Sequence, residues 1–266
     1  MQAHDKEDAM GSKLLARIAM ASIAVAAIAG TTAILWAPWA LWASWASSAP
    51  AAASACGTTY APVLDPAHFV PVIDNPYFPL PVGRTLVYIG TKDGKSQTDR
   101  VTVTDRTKEI LGITTTVVRD VARHHGDLLE KTFDFYAQDD EGTVWYLGED
   151  TTAFEPNGHT DTSGSFEAGV DGAQPGIIMQ GNPQIPDAYR QECYEGQAED
   201  TAWVVATTGS SKVPYGKVQH VLTTLESTRI EPGAFDEKVY GPGIGIVSEH
   251  ALTGDNEVAR LVSVSG

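Results

Sequence analysis

The stretch that most limits the folds open to this chain is Gly126–Asp150, GDLLEKTFDFYAQDDEGTVWYLGED. Both halves are rich in Phe, Tyr, Trp, Val and Thr, residues that fit a pleated, half-buried surface. Between them lies Asp139-Asp140-Glu141-Gly142, acidic turn formers followed by a glycine free to take positive φ. The stretch therefore reads as one long β-hairpin. A two- or four-residue loop sets Gln138 opposite Thr143, Tyr136 opposite Trp145, Asp134 opposite Leu147 and Thr132 opposite Glu149. Side chains alternate across a strand, so Phe133, Phe135, Ala137, Val144 and Tyr146 then share one face, a plain core face. Glu130, Thr132, Asp134, Tyr136, Trp145, Leu147 and Glu149 share the other, which mixes large aromatics with carboxylates. This sorting depends on an even loop. A three-residue loop with a bulge shifts the register and undoes it.

The β pattern extends well beyond the hairpin. Leu86–Gly90 precedes the hairpin signal Asp93-Gly94, Arg100–Thr104 alternates cleanly, and Thr114–Val121 leads to a turn at His124-His125-Gly126. Strand signals resume at Ala188–Tyr194, Thr201–Thr207, Lys217–Ile230, Glu237–Tyr240, Ile244–Glu249 and Val258–Val264. The short distances between them favour antiparallel pairing. Two segments break the pattern. Residues 57–83 carry six prolines (Pro62, Pro66, Pro71, Pro76, Pro79 and Pro81), which prevent regular structure and favour an extended arm. Ile73–Leu80 supplies that arm with apolar anchors suited to a lid over a core edge. Residues 151–186 are rich in Gly and Pro yet keep Phe154, Phe166, Ile177, Ile178 and Met179. A loop of that length is functional or disordered, and its apolar content argues against disorder.

The N-terminus is of another kind. Between Ile18 and Leu64 there is no charged residue, and Ile18–Trp36 is long enough to span a bilayer, which takes about 20 apolar residues. Lys13 and Arg17 hold its start in the cytoplasm by the positive-inside rule. Trp36, Trp39, Trp42 and Trp45 follow at every third position, a collar suited to the membrane–water interface. Ala53-Ser54-Ala55-Cys56 is both an A-x-A-like cleavage site and a degenerate lipoprotein processing site. Three fates stay open: an uncleaved anchor, a cleaved secreted form, and a lipoprotein attached through Cys56. All three place the remainder outside the cytoplasm, in the bacterial envelope or secreted, and membrane attachment is the favoured reading. The organisation expected is a cytoplasmic tail over 1–17, an anchor or signal segment over 18–46, a small-residue linker over 47–59 and a β domain over 60–266. The chain has 2 cysteines, Cys56 and Cys193. In an oxidising compartment they form either a disulfide or, at Cys56, a lipidation site, and each excludes the other.

Charge and motifs exclude more than they assign. The net charge of −16 falls wholly on 57–266, because the acids and bases of 1–56 balance. An acidic domain is not a nucleic-acid binder, which needs clustered Lys and Arg. No P-loop, dinucleotide fingerprint or nucleophile elbow occurs, and His124 and His125, adjacent in a turn, read as exposed loop residues. Asp134 and Glu149, with Glu167 and Asp171 brought in by the Gly-rich loop, form a candidate metal set for Ca²⁺, which takes six to eight oxygens. The same acids fit a general acid/base pair. The plainer alternative has them facing solvent or paired with Arg119, Lys131 and Arg190.

Three motifs carry a resemblance. Ile73-Asp74-Asn75-Pro76-Tyr77-Phe78-Pro79-Leu80, the hairpin with Asp134–Asp139 and Gly142–Tyr146 followed by Gly148-Glu149-Asp150, and Tyr189–Glu192 with Ala198-Glu199-Asp200 resemble those of a family of bacterial exported proteins known mostly as hypothetical. The likeness spans roughly residues 68–264 and implies export and a shared fold. Lys238–Val247 resembles the closing strands of half-barrels of the lipoprotein-carrier type. The expected fold is mainly β: a curled antiparallel sheet, half-barrel or barrel-like, behind an N-terminal transmembrane or signal helix. The expected function is an exported envelope protein binding a small or lipidic ligand on the concave face through Asp134, Tyr136, Trp145 and Glu149. The alternatives are a metal-dependent hydrolase using the carboxylates and a purely structural envelope protein.

Overall fold

From Thr85 onward, buried and exposed residues alternate as a strand with one packed face requires. The burial pattern begins with Leu86 and Tyr88 inside and continues with Gln97, Asp99, Val101 and Val103. The computed structural model describes residues 60–266 except 93 and 255. The tail, anchor and linker expected over 1–59, and with them Cys56, lie outside the described residues. Among the described residues no helix is long and apolar enough to cross a membrane.

The strands run in chain order as β1 (Phe69–Val70), β2 (Thr85–Lys92), β3 (Lys95–Ile110), β4 (Ile113–His124), β5 (Asp127–Asp139), β6 (Val144–Phe154), β7 (Thr160–Asp161), β8 (Phe166–Glu167) and β9 (Gly176–Met179). They continue as β10 (Ala188–Arg190), β11 (Asp200–Ala206), β12 (Ser210–Val213), β13 (Gly216–Gln219), β14 (Leu222–Thr228), β15 (Phe235–Gly241), β16 (Gly245–Thr253) and β17 (Val258–Ser265). The run expected over Lys217–Ile230 is split at His220, whose φ of 57° turns the chain between β13 and β14.

One antiparallel sheet follows the order β10-β11-β14-β15-β16-β17-β2-β3-β4-β5-β6-β7, with β1, β8 and β9 paired off this path and β12-β13 forming a separate ribbon. It is a meander in which β17, the last strand, pairs with β2. The path is open at β10 and β7, so the sheet is not a closed barrel. Its two wings nevertheless share one apolar core. Val101, Val118, Tyr136 and Tyr146 from one wing belong to the same cluster as Tyr189, Ala202, Leu222 and Tyr240 from the other. A second, smaller cluster (Ile110, Ile113, Val117, Phe135, Ala137, Leu147 and Ala168) covers the outer side of β3–β6.

The proline arm closes one end of the main core. Ile73, Phe78 and Leu80 are buried in it, and Asn75 ties the arm to the hairpin. Asn75 Nδ2 donates to the carbonyls of Gly142 and Gln180, while Gln138 Oε1 accepts from the backbone N–H of Asp74 and Asn75. The 151–186 segment is likewise built into the fold through β7, β8 and β9, each paired to β6. Gly176 in β9 is needed for the close approach of the segment that follows β10. A Cβ there would stand 1.9 Å from the Gln191 carbonyl oxygen, and the atoms it meets are all backbone, with no flexible side chain to yield. Gly176→Ala is expected to destabilise by about 1–3 kcal/mol, as overpacking does, measured as a lower denaturant midpoint at unchanged slope.

Candidate functional site

The hairpin closes through an odd loop. Asp139 N–H donates to the Thr143 carbonyl, and three residues, Asp140–Gly142, lie between them, with Gly142 at φ 85°. Val144 therefore faces Gln138 and Tyr146 faces Tyr136. A bulge at Leu147 then shifts the register again, so that Gly148 faces Phe135 and Glu149 faces Asp134. The two shifts correct half of the expected sorting. Asp134, Tyr136 and Glu149 do share a face, but Trp145 lies on the other, packed against the outer cluster with its indole N–H donating to Asp139 Oδ2 at 2.8 Å. Tyr146, expected on the plain face with Val144, takes Trp145's place. It stacks on Tyr136 at 4.8 Å between ring centroids.

Around Asp134 and Tyr136 this face is closed among the described residues. Asp134 and Tyr136 are fully buried, as Glu149 nearly is, and the rings are covered by Phe78 from the arm, edge-on to Tyr136 at 5.2 Å, and by Phe166, edge-on to Tyr146 at 5.4 Å. The reading in which these acids face solvent or pair with Arg119, Lys131 and Arg190 does not describe them either. Instead, Tyr146 Oη lies 2.8 Å from Asp134 Oδ1 and 3.0 Å from Glu149 Oε2. One hydroxyl has one proton to give. The second contact is a hydrogen bond only if one of the two carboxyls carries a proton and donates it back to the phenol oxygen. Electrostatics agree. Burial raises Asp134 to about 7, with Asp99 adding to the rise and the Tyr146 and Tyr136 hydroxyls opposing it. Burial raises Glu149 well above the carboxylate range, followed by the charges of Asp134 and Glu130.

A second carboxyl pair lies one strand over. Asp99 on β3 and Asp120 on β4 are both buried, with Ala122 directly opposite Asp99 and Asp120 beside it on the same inner face. Burial, then the Asp99 charge, lifts Asp120 well above its ordinary value. Burial also lifts Asp99. Glu130, Glu192 and Asp200 are buried in the same interior. Across the sheet, Lys238 Nζ sits 2.8 Å from Glu226 Oε2 and 3.8 Å from Glu249 Oε1, and Lys92 Nζ sits 2.9 Å from Glu257 Oε2.

The four acids read as a Ca²⁺ set are not gathered around one point. Glu167 pairs with Lys108 at 2.7 Å, and Asp171 is exposed in a turn at φ 49°. Glu149, Glu167 and Asp171 do line one cavity of about 300 Å³, but Lys108 lines it with them. Among the described residues no three His, Cys, Asp or Glu are placed to hold a metal ion. Cys193 is buried and disulfide-bonded.

One cavity lies at an end of the sheet and was not singled out from the sequence. It measures about 550 Å³, and Lys92, Lys95, Ser96, Gln97, His124, Leu128, Leu129, Phe154 and Pro156 line it, with Asp127 and Glu155. Its residues come from the β2–β3 turn, the β4–β5 turn and the end of β6. A signal for it was present: in an up-and-down meander every second turn falls at the same end, so the turns at Gly94 and at His125-Gly126 had to be neighbours. Within the wall, Gln97 is buried and its Nε2 has no acceptor, an unusual state for an amide that desolvation penalises. His124 Nδ1 is 2.5 Å from the Ser96 carbonyl, which orients the imidazole.

No protein-family model matches the chain, and no curated protein matches it. Among solved structures the chain is similar to a protein from Bacteroides fragilis described as exported, with a YmcC-like fold. That likeness has 15% identity and a TM-score of 0.41 and covers 71% of this chain and 99% of that one. The chain is also similar to a protein from Parabacteroides distasonis described as a lipoprotein, at 11% identity and a TM-score of 0.37, over 71% of this chain and 98% of that one.

Proposed function

We propose that residues 60–266 form an extracytoplasmic domain, a curled half-barrel attached to the membrane by the segment over 18–46, and that it binds a small or lipidic ligand in the 550 Å³ cavity. The observation that carries the reading is this cavity with the buried, unpartnered Gln97 Nε2 in its wall. Its volume lies in the range of small-molecule sites, about 300–1,000 Å³. The ligand site thus moves from Asp134, Tyr136, Trp145 and Glu149 to the end of the same sheet. Export is supported by the uncharged N-terminal stretch and by the disulfide at Cys193, because disulfides persist outside the reducing cytoplasm. We pair Cys193 with Cys56, which leaves Cys56 unavailable for lipidation and ties the chain just past the anchor to the segment between β10 and β11.

Native mass spectrometry of the full-length protein tests both parts. The expected result is a non-covalent adduct of one small molecule, on a chain two hydrogens lighter than the reduced mass. A homogeneous ligand-free protein that takes up no amphiphile when one is added would overturn the binding reading. Acyl mass on Cys56 would overturn the disulfide.

A further inference from the structure

We propose that this cavity selects an amphipathic anion, with its acidic head on the β2–β3 hairpin and its apolar body against the opposite wall. The inference rests on the reading of the cavity as a ligand site and names the chemistry it would take.

The lining is uneven: the nitrogen donors and the apolar side chains come from different elements, and two acids, Asp127 and Glu155, sit among the apolar ones. Lys92, Lys95 and Gln97, three nitrogen donors, come from the β2–β3 hairpin. Leu128 and Leu129 from the start of β5, with Phe154 and Pro156 from the end of β6, supply the apolar side. A molecule of one polarity throughout would leave one of these walls unsatisfied. On the polar side, Lys92 is committed to Glu257 at 2.9 Å. Lys95 is exposed and forms no ion pair among the described residues, and Gln97 Nε2 is a buried donor waiting for an acceptor. A carboxylate presents two acceptor oxygens and a charge, so one oxygen can meet the Gln97 amide while the group as a whole meets Lys95. A cationic head would face Lys95 and leave Gln97 Nε2 unpaired.

The acids in the lining do not reverse this. Glu155 Oε2 already accepts from Asn157 Nδ2 at 2.9 Å, and Asp127 is exposed to water. The negative charge of the whole chain opposes an anion at long range, yet salt screens such fields beyond roughly 8–10 Å. Contact donors therefore decide the selectivity.

The test compares three probes that share a tail and differ in head: decanoate, decan-1-ol and decyltrimethylammonium. Binding is measured by calorimetry on the full-length protein in zwitterionic nanodiscs, with empty nanodiscs as the blank. Decanoate is expected to bind at least tenfold more tightly than decanol, and the ammonium probe more weakly than both. Lys95→Met is expected to weaken decanoate about tenfold and leave decanol unchanged, and because Lys95 is exposed this variant should fold normally. Leu129→Asp is expected to weaken decanoate and decanol alike. Equal affinity for decanoate and decanol, or a preference for the ammonium, would overturn the anion inference while leaving the ligand site in place. If no probe binds, or if Leu129→Asp leaves all binding intact, the cavity itself is not the site and the earlier reading falls with it.

Discussion

Replacing Asp134 by Asn is expected to raise stability at pH 8 by about 2–4 kcal/mol and to change it little at pH 4. The sign follows from linkage. The unfolded carboxyl titrates near 3.8 and the folded one at about 7. Between those values the native state still binds a proton that the unfolded chain has released. Stability therefore falls as pH rises through the window and levels off above it. At 1.36 kcal/mol per pH unit, the whole window is worth about 4 kcal/mol as an upper limit. Asn keeps an oxygen for Tyr146 Oη and cannot ionise, so it removes the penalty and keeps the volume. Asp120 and Glu149, both lifted by burial, bend the profile the same way. The groups facing this cluster are Asp99 on β3, Asp120 on β4, Glu130 and Tyr136 on β5, Tyr146 on β6, Asp200 on β11 and Glu192 in the segment before it. None is a cation that would hold Asp134 ionised. Urea unfolding at pH 4, 6 and 8 would measure the effect. A variant less stable than the parent at pH 8 would show that the Asp134 carboxylate is a net stabiliser, contrary to this account.

Much of the fold is legible in the residues, and the failures have specific causes. Alternation in Val101–Thr104 and the aromatic arms of the hairpin identify strands because a one-faced core imposes a period of two. The Ile73–Leu80 anchors read as a lid because prolines leave little else for an extended apolar arm to do. The hairpin's site face was half wrong for one reason: a period of two amplifies any single-residue error. The odd loop at Asp140–Gly142 turned Tyr146 inward and Trp145 outward, and the bulge at Leu147 restored Glu149. Neither device has a signature strong enough to separate it from an even loop without the partner strand. The buried acids were missed differently. Gln97 and Asp99 have the same parity as Val101 and Val103, so their place on the inner face was written in the spacing. Charged residues are almost never fully buried unless paired, an expectation that parity alone does not outweigh. It fails here because carboxyls that keep a proton need no cation.

Lys238, set between the buried Glu226 and the half-buried Glu249, shows what happens where such a proton is absent. Lys238→Met is expected to destabilise by about 3–5 kcal/mol at neutral pH, the usual consequence of removing one partner from a buried ion pair. Lys238 is almost wholly buried. Burial alone would lower its pKa, but the charges of Glu226 and Glu249 more than reverse that and hold it well above the ordinary lysine value. Glu226 is the acid that depends on it. Its Oε2 faces Lys238 Nζ at 2.8 Å, while its Oε1 accepts from Thr224 Oγ1 at 2.8 Å and Tyr240 Oη at 3.2 Å. Glu249 sits 3.8 Å from the same ammonium, and burial raises it well above its usual range even though Lys238 opposes the rise. Removal of the lysine thus leaves Glu226 as the ion without compensation. Two consequences separate this from a simple packing defect. The cost should shrink as pH falls, because a buried carboxyl left without its cation takes up a proton, whereas a cavity would cost the same at every pH. The double variant Lys238→Met with Glu226→Gln should recover most of the loss, because the amide still accepts from Thr224 and Tyr240 and carries no charge. A pH-independent loss with no recovery in the double variant would mean that Lys238 acts through its aliphatic stem alone.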